Sequence, residues 1–274
     1  MRRYGFTLIE MLVVTGIIAI FIAILLPVLQ NSRLRAKGTV CISNIRQLDF
    51  IICTYAADNG RFPYGYNNQP GLPLDEDPGY YQYNRKGWWW FNYLKKLYKN
   101  NIKQNTILNC PSRKQNNSDL EKIILCGNYG VNLSICKMSA GKQINFTGEP
   151  RTITELPHPS QTLLLLDSGY SIIGWKHAAD DSNGIPKSAL LEDSAYVPGL
   201  SINHSRQLWQ GQEIDAYYGR HSQLTDNVGF ADGHVIRMKA EELLVKKIKT
   251  NQYQNQVPLW TPLLNDGILV STSK

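Results

Sequence analysis

The sequence has none of the short signatures that announce common catalytic sites. No Gly-x-Ser-x-Gly turn presents a nucleophile, no glycine-rich loop is spaced to cradle phosphate, and no His-Glu-x-x-His sets zinc ligands on a helix. Asp75, Glu76 and Asp77 are paired acids, but they stand in a proline-flanked loop and read as solvated. The chain is therefore read as a non-enzyme. It has no internal repeat and no linker that would split it, which sets aside solenoid arrays and strings of domains. Charge is missing as well: between Phe6 and Leu29 the only charged residue is Glu10.

That apolar run of 24 residues is long enough to cross a hydrocarbon core of about 30 Å at 1.5 Å per residue. Arg2 and Arg3 favour a cytoplasmic N-terminus, while Arg33, Arg35 and Lys37 just beyond the span pull the other way. A secretory signal peptide would need a shorter apolar core and a small-residue cleavage site, and Leu25-Leu26-Pro27-Val28-Leu29 offers none. A carboxylate within such a span costs roughly 2.5–3.5 kcal/mol at a helix centre, so Glu10 calls for a purpose.

Gly5 followed by Phe6-Thr7-Leu8-Ile9-Glu10 and Met11-Leu12-Val13-Val14 resembles the N-terminus of type IV prepilins and type II secretion pseudopilins. The resemblance implies cleavage by a prepilin peptidase between Gly5 and Phe6, N-methylation of Phe6, and a role for Glu10 in subunit packing. It also implies neighbouring pilin or pseudopilin subunits and an inner-membrane assembly platform as partners. The chemistry agrees: cleavage leaves an ammonium at Phe6 close to Glu10, and a carboxylate in apolar surroundings gains most from such a partner, its own or a neighbour's.

Beyond the span, Cys41, Ile45, Leu48, Ile52 and Tyr55 recur at helical period, with Asn44, Arg46, Gln47 and Asp49 assigned to the polar face. One helix of about 50 residues is predicted, kinked at Pro27, with Gly38 as its weak point and Asp58-Asn59-Gly60 and Pro63 as its stop. The expected organisation is a leader at 1–5, a transmembrane helix at 6–29, its amphipathic continuation at 30–59 and a β-rich head at 60–274. The fold class is α+β, a long helix packed on an antiparallel head.

Cys41-Ile-Ser-Asn44-Ile-Arg-Gln47, then Tyr55-Ala-Ala-Asp58-Asn-Gly60, resembles one large pseudopilin-like subgroup. That subgroup has a C-terminal histidine, nine residues, then Asp-Gly. Here ten residues separate His221 from Asp232-Gly233, which lengthens the loop at 223–227. Asn109-Cys110-Pro111-Ser112 and Asn128-Tyr129-Gly130 resemble further pieces. Physically, Val228–Ala231 and His234–Met238 around Asp232-Gly233 read as a hairpin with a two-residue type I′ turn. His221, Asp232 and His234 have zinc-ligand chemistry without compact spacing, so a hydrogen-bonded histidine beneath the hairpin is the reading preferred. Calcium on Asp226, Asp232 or Asp180-Asp181-Ser182-Asn183 has suitable oxygens but no recognisable loop; no cofactor is expected.

The head holds strand candidates at Thr162–Asp167, Ser171–Ile173 and Ala195–Val197, a helix over Trp88–Tyr98, and long loops at Tyr64–Tyr83 and Ile248–Leu264. Eight aromatics crowd Tyr80–Tyr93; core packing for part of the cluster is the reading preferred, and Tyr81, Trp88 and Trp89 are the candidates for stacking on a polysaccharide. Net charge of +7 is carried by scattered lysines, which argues against nucleic acid. The head is expected on the periplasmic side or, after assembly, in a filament. The five cysteines would there meet an oxidising environment. Cys41 and Cys53 are about 18 Å apart along one helix and cannot join. The resemblance covers Cys41 and Cys110 and implies their pairing, with Cys126–Cys136 as a local bridge; sequence alone leaves the connectivity open.

Overall fold

The computed structural model describes residues 7–68, 87–98, 107–141, 144–180, 194–262 and 268–270. Helix α1 (Leu8–Asn59) is 52 residues long and contains Pro27 in its interior. It starts at an N-cap, Thr7, and stops at Gly60, whose φ of 74° turns the chain out of the helix. Just past its midpoint, its environment changes. Every residue from Leu8 to Lys37 is exposed, whereas Gly38, Cys41, Asn44, Ile45, Leu48, Asp49, Ile52 and Ala56 are buried in the head.

The apolar stripe packs as the periodicity predicts, except that Tyr55 is half-buried. Two polar residues of the supposed outer face are not outside. Asn44 is buried because its amide donates to the Asn109 carbonyl at 3.1 Å and to the Tyr129 hydroxyl at 3.2 Å. Asp49 is fully buried beside Cys53, one turn on. Gly38 is a place of close approach: the Arg237 guanidinium donates to its carbonyl at 2.7 Å, and a side chain there would meet that guanidinium at 3.1 Å.

Strands β1 (Tyr66–Asn67) and β2 (Trp88–Trp89) pair antiparallel, and β2 runs straight into α2 (Trp90–Tyr98). The predicted helix over Trp88–Tyr98 thus begins two residues late, because the first two tryptophans are held in the β1–β2 ladder. After α3 (Ser118–Lys122) comes the main sheet. It contains β3 (Tyr129–Asn132), β4 (Leu163–Asp167), β5 (Ile172–Ile173), β6 (Thr225–Phe230) and β7 (Val235–Lys239), in the order β5-β3-β4-β6-β7. Only β3–β5 is parallel. The run Leu163–Asp167 is central and buried on both faces, as its unbroken apolar text predicts. Helix α1 lies across β4, β6 and β7 and also touches α2. The α+β class is borne out.

Three local expectations fail for identifiable reasons. Ala195–Val197 is buried but irregular, because its polar groups turn aside: Tyr196 donates from its hydroxyl to Asp215 at 3.1 Å and accepts from the Gly169 N–H at 2.8 Å. After α4 (Glu213–Tyr218), the hairpin β6–β7 turns through three residues, Ala231-Asp232-Gly233, and not two. The Gly233 N–H closes a turn on the Phe230 carbonyl at 2.8 Å, and only Gly233, at φ 94°, is left-handed, which rules out type I′. The supposed loop Ile248–Leu264 contains most of a second hairpin, β8 (Lys247–Lys249) and β9 (Gln252–Gln254), joined through Asn251 at φ 59°; β10 (Ile268–Val270) pairs with β9.

Because Leu48 is fully buried between helix and sheet, Leu48→Ala is expected to lower stability by about 2–5 kcal/mol. Phe50→Ala, on the exposed face two residues on, is expected to change it by less than about 0.5 kcal/mol. Urea unfolding of the detergent-solubilised chain checks both; equal losses would show that the helix does not pack as described.

Candidate functional site

At the amino end, Thr7 and Glu10 form a reciprocal capping box. The Glu10 N–H donates to Thr7 Oγ1 at 3.3 Å, while Glu10 Oε2 accepts from the Thr7 N–H and the Thr7 hydroxyl, each at 2.8 Å. The Thr-x-x-Glu spacing is a capping signal that the sequence carries. Gly5 and Phe6 lie outside the described residues. The box holds the Glu10 carboxylate against the Thr7 N–H at the head of the helix. Past it, the exposed side chains from Met11 to Leu29 are apolar on every side of the helix apart from Thr15, and the helix is long and apolar enough to cross a membrane.

A second centre is built inside the head around His221, in the turn between α4 and β6. Its Nε2 faces Asp167 Oδ2, at the end of β4, at 3.0 Å, and the Asn227 amide lies 3.0 Å from the same nitrogen. Asp167 also accepts from the Asn227 backbone N–H at 2.8 Å. The neighbouring Arg220 is fully buried and spends its donors on Asp215, Asp167 and the Asn128 and Ser168 carbonyls. The Cys41 and Cys110 sulfurs complete the centre, both within 4.8 Å of a His221 ring nitrogen and of each other. Cys110 is fixed from behind, its N–H donating to Asn128 Oδ1 at 3.0 Å.

Burial works against charge on His221, but the Asp167 carboxylate outweighs it and holds the imidazole up at about 9. The Cys110 thiol beside Cys41, against the pull of burial and with help from His221, brings Cys41 down to about 5. Burial pushes Cys110 upward, so the centre holds one easily ionised sulfur and one reluctant one. All five cysteines are free thiols. Cys41 and Cys110 are brought together as the resemblance implies, without a bond between them. Cys126 and Cys136 are each buried; Cys126 bridges to Tyr170 and Cys136 bonds through its backbone to Gly65 and Asn132. Cys53 points at the Ala231 carbonyl, 3.7 Å away.

The remaining predicted site residues separate. His221 does not meet Asp232. That carboxylate lies on the surface, bonded to His234 Nδ1 at 2.6 Å, and His234 stacks on Phe230. The expected calcium oxygens form no three-ligand group among the described residues: Asp226 is buried, Asp232 serves His234, and residues 181–183 lie outside the description. Trp89 is fully buried against Tyr66 and Tyr170, which removes it from any sugar-stacking surface; Trp88 is half-buried against Tyr93, and Tyr81 lies outside the described residues. Asp167, Arg220 and Asn227 carry the centre yet had no local motif to mark them; Arg220 was adjacent to the singled-out His221.

Residues 1–26 match the family model of the prokaryotic N-terminal methylation motif. No curated protein and no solved structure matches the chain. The motif at residues 1–26, the apolar N-terminal helix and the β-rich head support a type IV pilin-like protein, and these features fit anchoring in an inner membrane. Proteins carrying the motif are structural subunits rather than enzymes. The motif implies processing by prepilin peptidase and assembly with other pilins.

Two predictions concern the buried charges. Arg220→Ala would leave Asp215 without its counter-ion and Asp167 with His221 alone, and is expected to cost about 3–5 kcal/mol, measured by denaturant unfolding. Asp49 has both carboxylate oxygens without hydrogen bonds, and burial, with the nearby Asp232 charge, raises its pKa well above normal. The folded chain therefore binds this proton more tightly than the unfolded chain, where aspartate titrates near 3.9. Its burden is absent below about pH 4 and grows as pH rises toward the folded-state value. Asp49→Asn is expected to stabilise by roughly 1–3 kcal/mol at pH 7 and by nothing near pH 4; thermal melts with equal gains at both pH values would contradict this.

Proposed function

We propose that the chain is a subunit of a type II secretion pseudopilus or type IV pilus-like filament. Prepilin peptidase cuts between Gly5 and Phe6 on the cytoplasmic side, Phe6 is N-methylated, and an inner-membrane platform extracts the chain into the filament with its head outward. The observation that carries this reading is the continuity of the matched motif with a helix that is apolar on every side, with Glu10 held at its first turn. Such a helix satisfies lipid before assembly and neighbouring helices afterwards. The Phe6 ammonium created by cleavage is a charge partner for Glu10, and when it comes from an adjacent subunit it fixes the register between the two.

Glu10→Gln separates the two roles of this side chain, because glutamine at the third helical position still closes a capping box but carries no charge. If charge sets the register, Glu10→Gln subunits keep their helix yet fail to co-purify with other pilin-type subunits. If capping is the whole role, they assemble like the original chain. Mass spectrometry of the mature N-terminus is expected to find N-methyl-Phe6, and a chain still beginning at Met1 would overturn the processing pathway.

A further inference from the structure

Cys41 comes from α1, Cys110 from the segment before α3, and His221 from the turn after α4, yet their ligand atoms lie within 4.8 Å of one another in a buried pocket of side chains. We propose that this centre is a zinc site, with the two sulfurs and His221 Nδ1 as its protein ligands and one position left for a water.

The donor set is the first support. Thiolate sulfur and imidazole nitrogen are the ligands that zinc takes in preference to oxygen, and two thiolates cancel the double charge of the ion, as a buried site requires. The asymmetry of His221 is the second. Its Nε2 is occupied by Asp167, while Nδ1 is buried and has no hydrogen-bond partner. Nδ1 faces α1, where a side chain at Gly38, one turn before Cys41, would meet it at 3.4 Å. A carboxylate that holds one ring nitrogen, and so aims the other at a metal, is the common outer support of zinc-bound histidine.

The third support is how firmly each ligand is set. Asn44, one turn after Cys41, reaches the Asn109 carbonyl and the Tyr129 hydroxyl, and Asn128 holds the Cys110 N–H. A bond between Cys41 and Cys110 would use the same two sulfurs but leave Nδ1 an unpaired buried atom. An ion satisfies all three. Binding forms two sulfur–zinc bonds and one nitrogen–zinc bond, releases two protons to solvent, and involves no electron transfer. It joins the upper part of α1 to the head at a point 69 residues away in sequence (41 to 110) and again at 221.

The test uses the full chain, purified in detergent without chelator from zinc-supplemented cells. Elemental analysis is expected to find about one zinc per chain, falling at least tenfold in Cys41→Ser and His221→Ala and staying in Cys53→Ser. Because either variant could lose zinc by misfolding, the unaltered chain is also loaded with cobalt, for which thiolate-to-cobalt charge-transfer absorption is expected. A chain that neither carries nor takes up metal overturns the proposal. So does cobalt without thiolate absorption, or a Cys41–Cys110 disulfide found by non-reducing peptide mapping of the zinc-supplemented preparation.

Discussion

From Gly38 to Ala56 helix α1 buries one face under β4, β6 and β7, while from Leu8 to Lys37 the same helix, mostly apolar up to Leu29, is uncovered. Everything else in the molecule follows from this division. A rod about 78 Å long must satisfy lipid or neighbouring helices over its first part and a protein core over its last. The change falls at Gly38, where loss of a side chain lets Arg237 and His221 close directly on the helix backbone.

The burial of the upper helix brings polar groups inside, and the head is organised to satisfy most of them. Arg220 neutralises two carboxylates, Asp167 holds His221 and Asn227, and Asn44 ties the helix to two distant segments. Among the carboxylates, Asp49 and Asp226 stand apart: both are fully buried and neither forms a hydrogen bond. Residues that look unrelated along the chain, among them Cys41, Asn44, Asn109, Cys110, Asn128, Tyr129 and His221, meet within this one region. Cys41, Cys110 and His221, which come from separate segments, thus meet in a single buried centre.

The long helix, its stop at Gly60, the central strand at Leu163–Asp167 and the hairpin before Val235 were legible in the sequence, because period, cap and turn are local signals. The N-terminal motif was legible for the same reason. Asn44 was assigned to the wrong face because polarity marks solvent only when no partner is buried nearby, and its partner lies 65 residues away; Asp49 is buried with no hydrogen bond at all, against its polarity. Trp89 was offered to a ligand because eight aromatics crowd Tyr80–Tyr93; it instead lies in a strand, which buries it. The Asp167–His221–Cys41–Cys110 centre was not legible as a unit, since its members come from four separate segments and share no spacing.

Hydrogen exchange of the detergent-solubilised chain tests the division of α1 most directly. If the upper helix is part of the head core, the amides of Ile45, Leu48 and Ile52 exchange as slowly as those of Leu164 and Leu165 in β4, and all are released together by global unfolding. If those helix amides exchange freely while β4 stays protected, the helix is only a tether, and the account of a rod shared between membrane and head is contradicted.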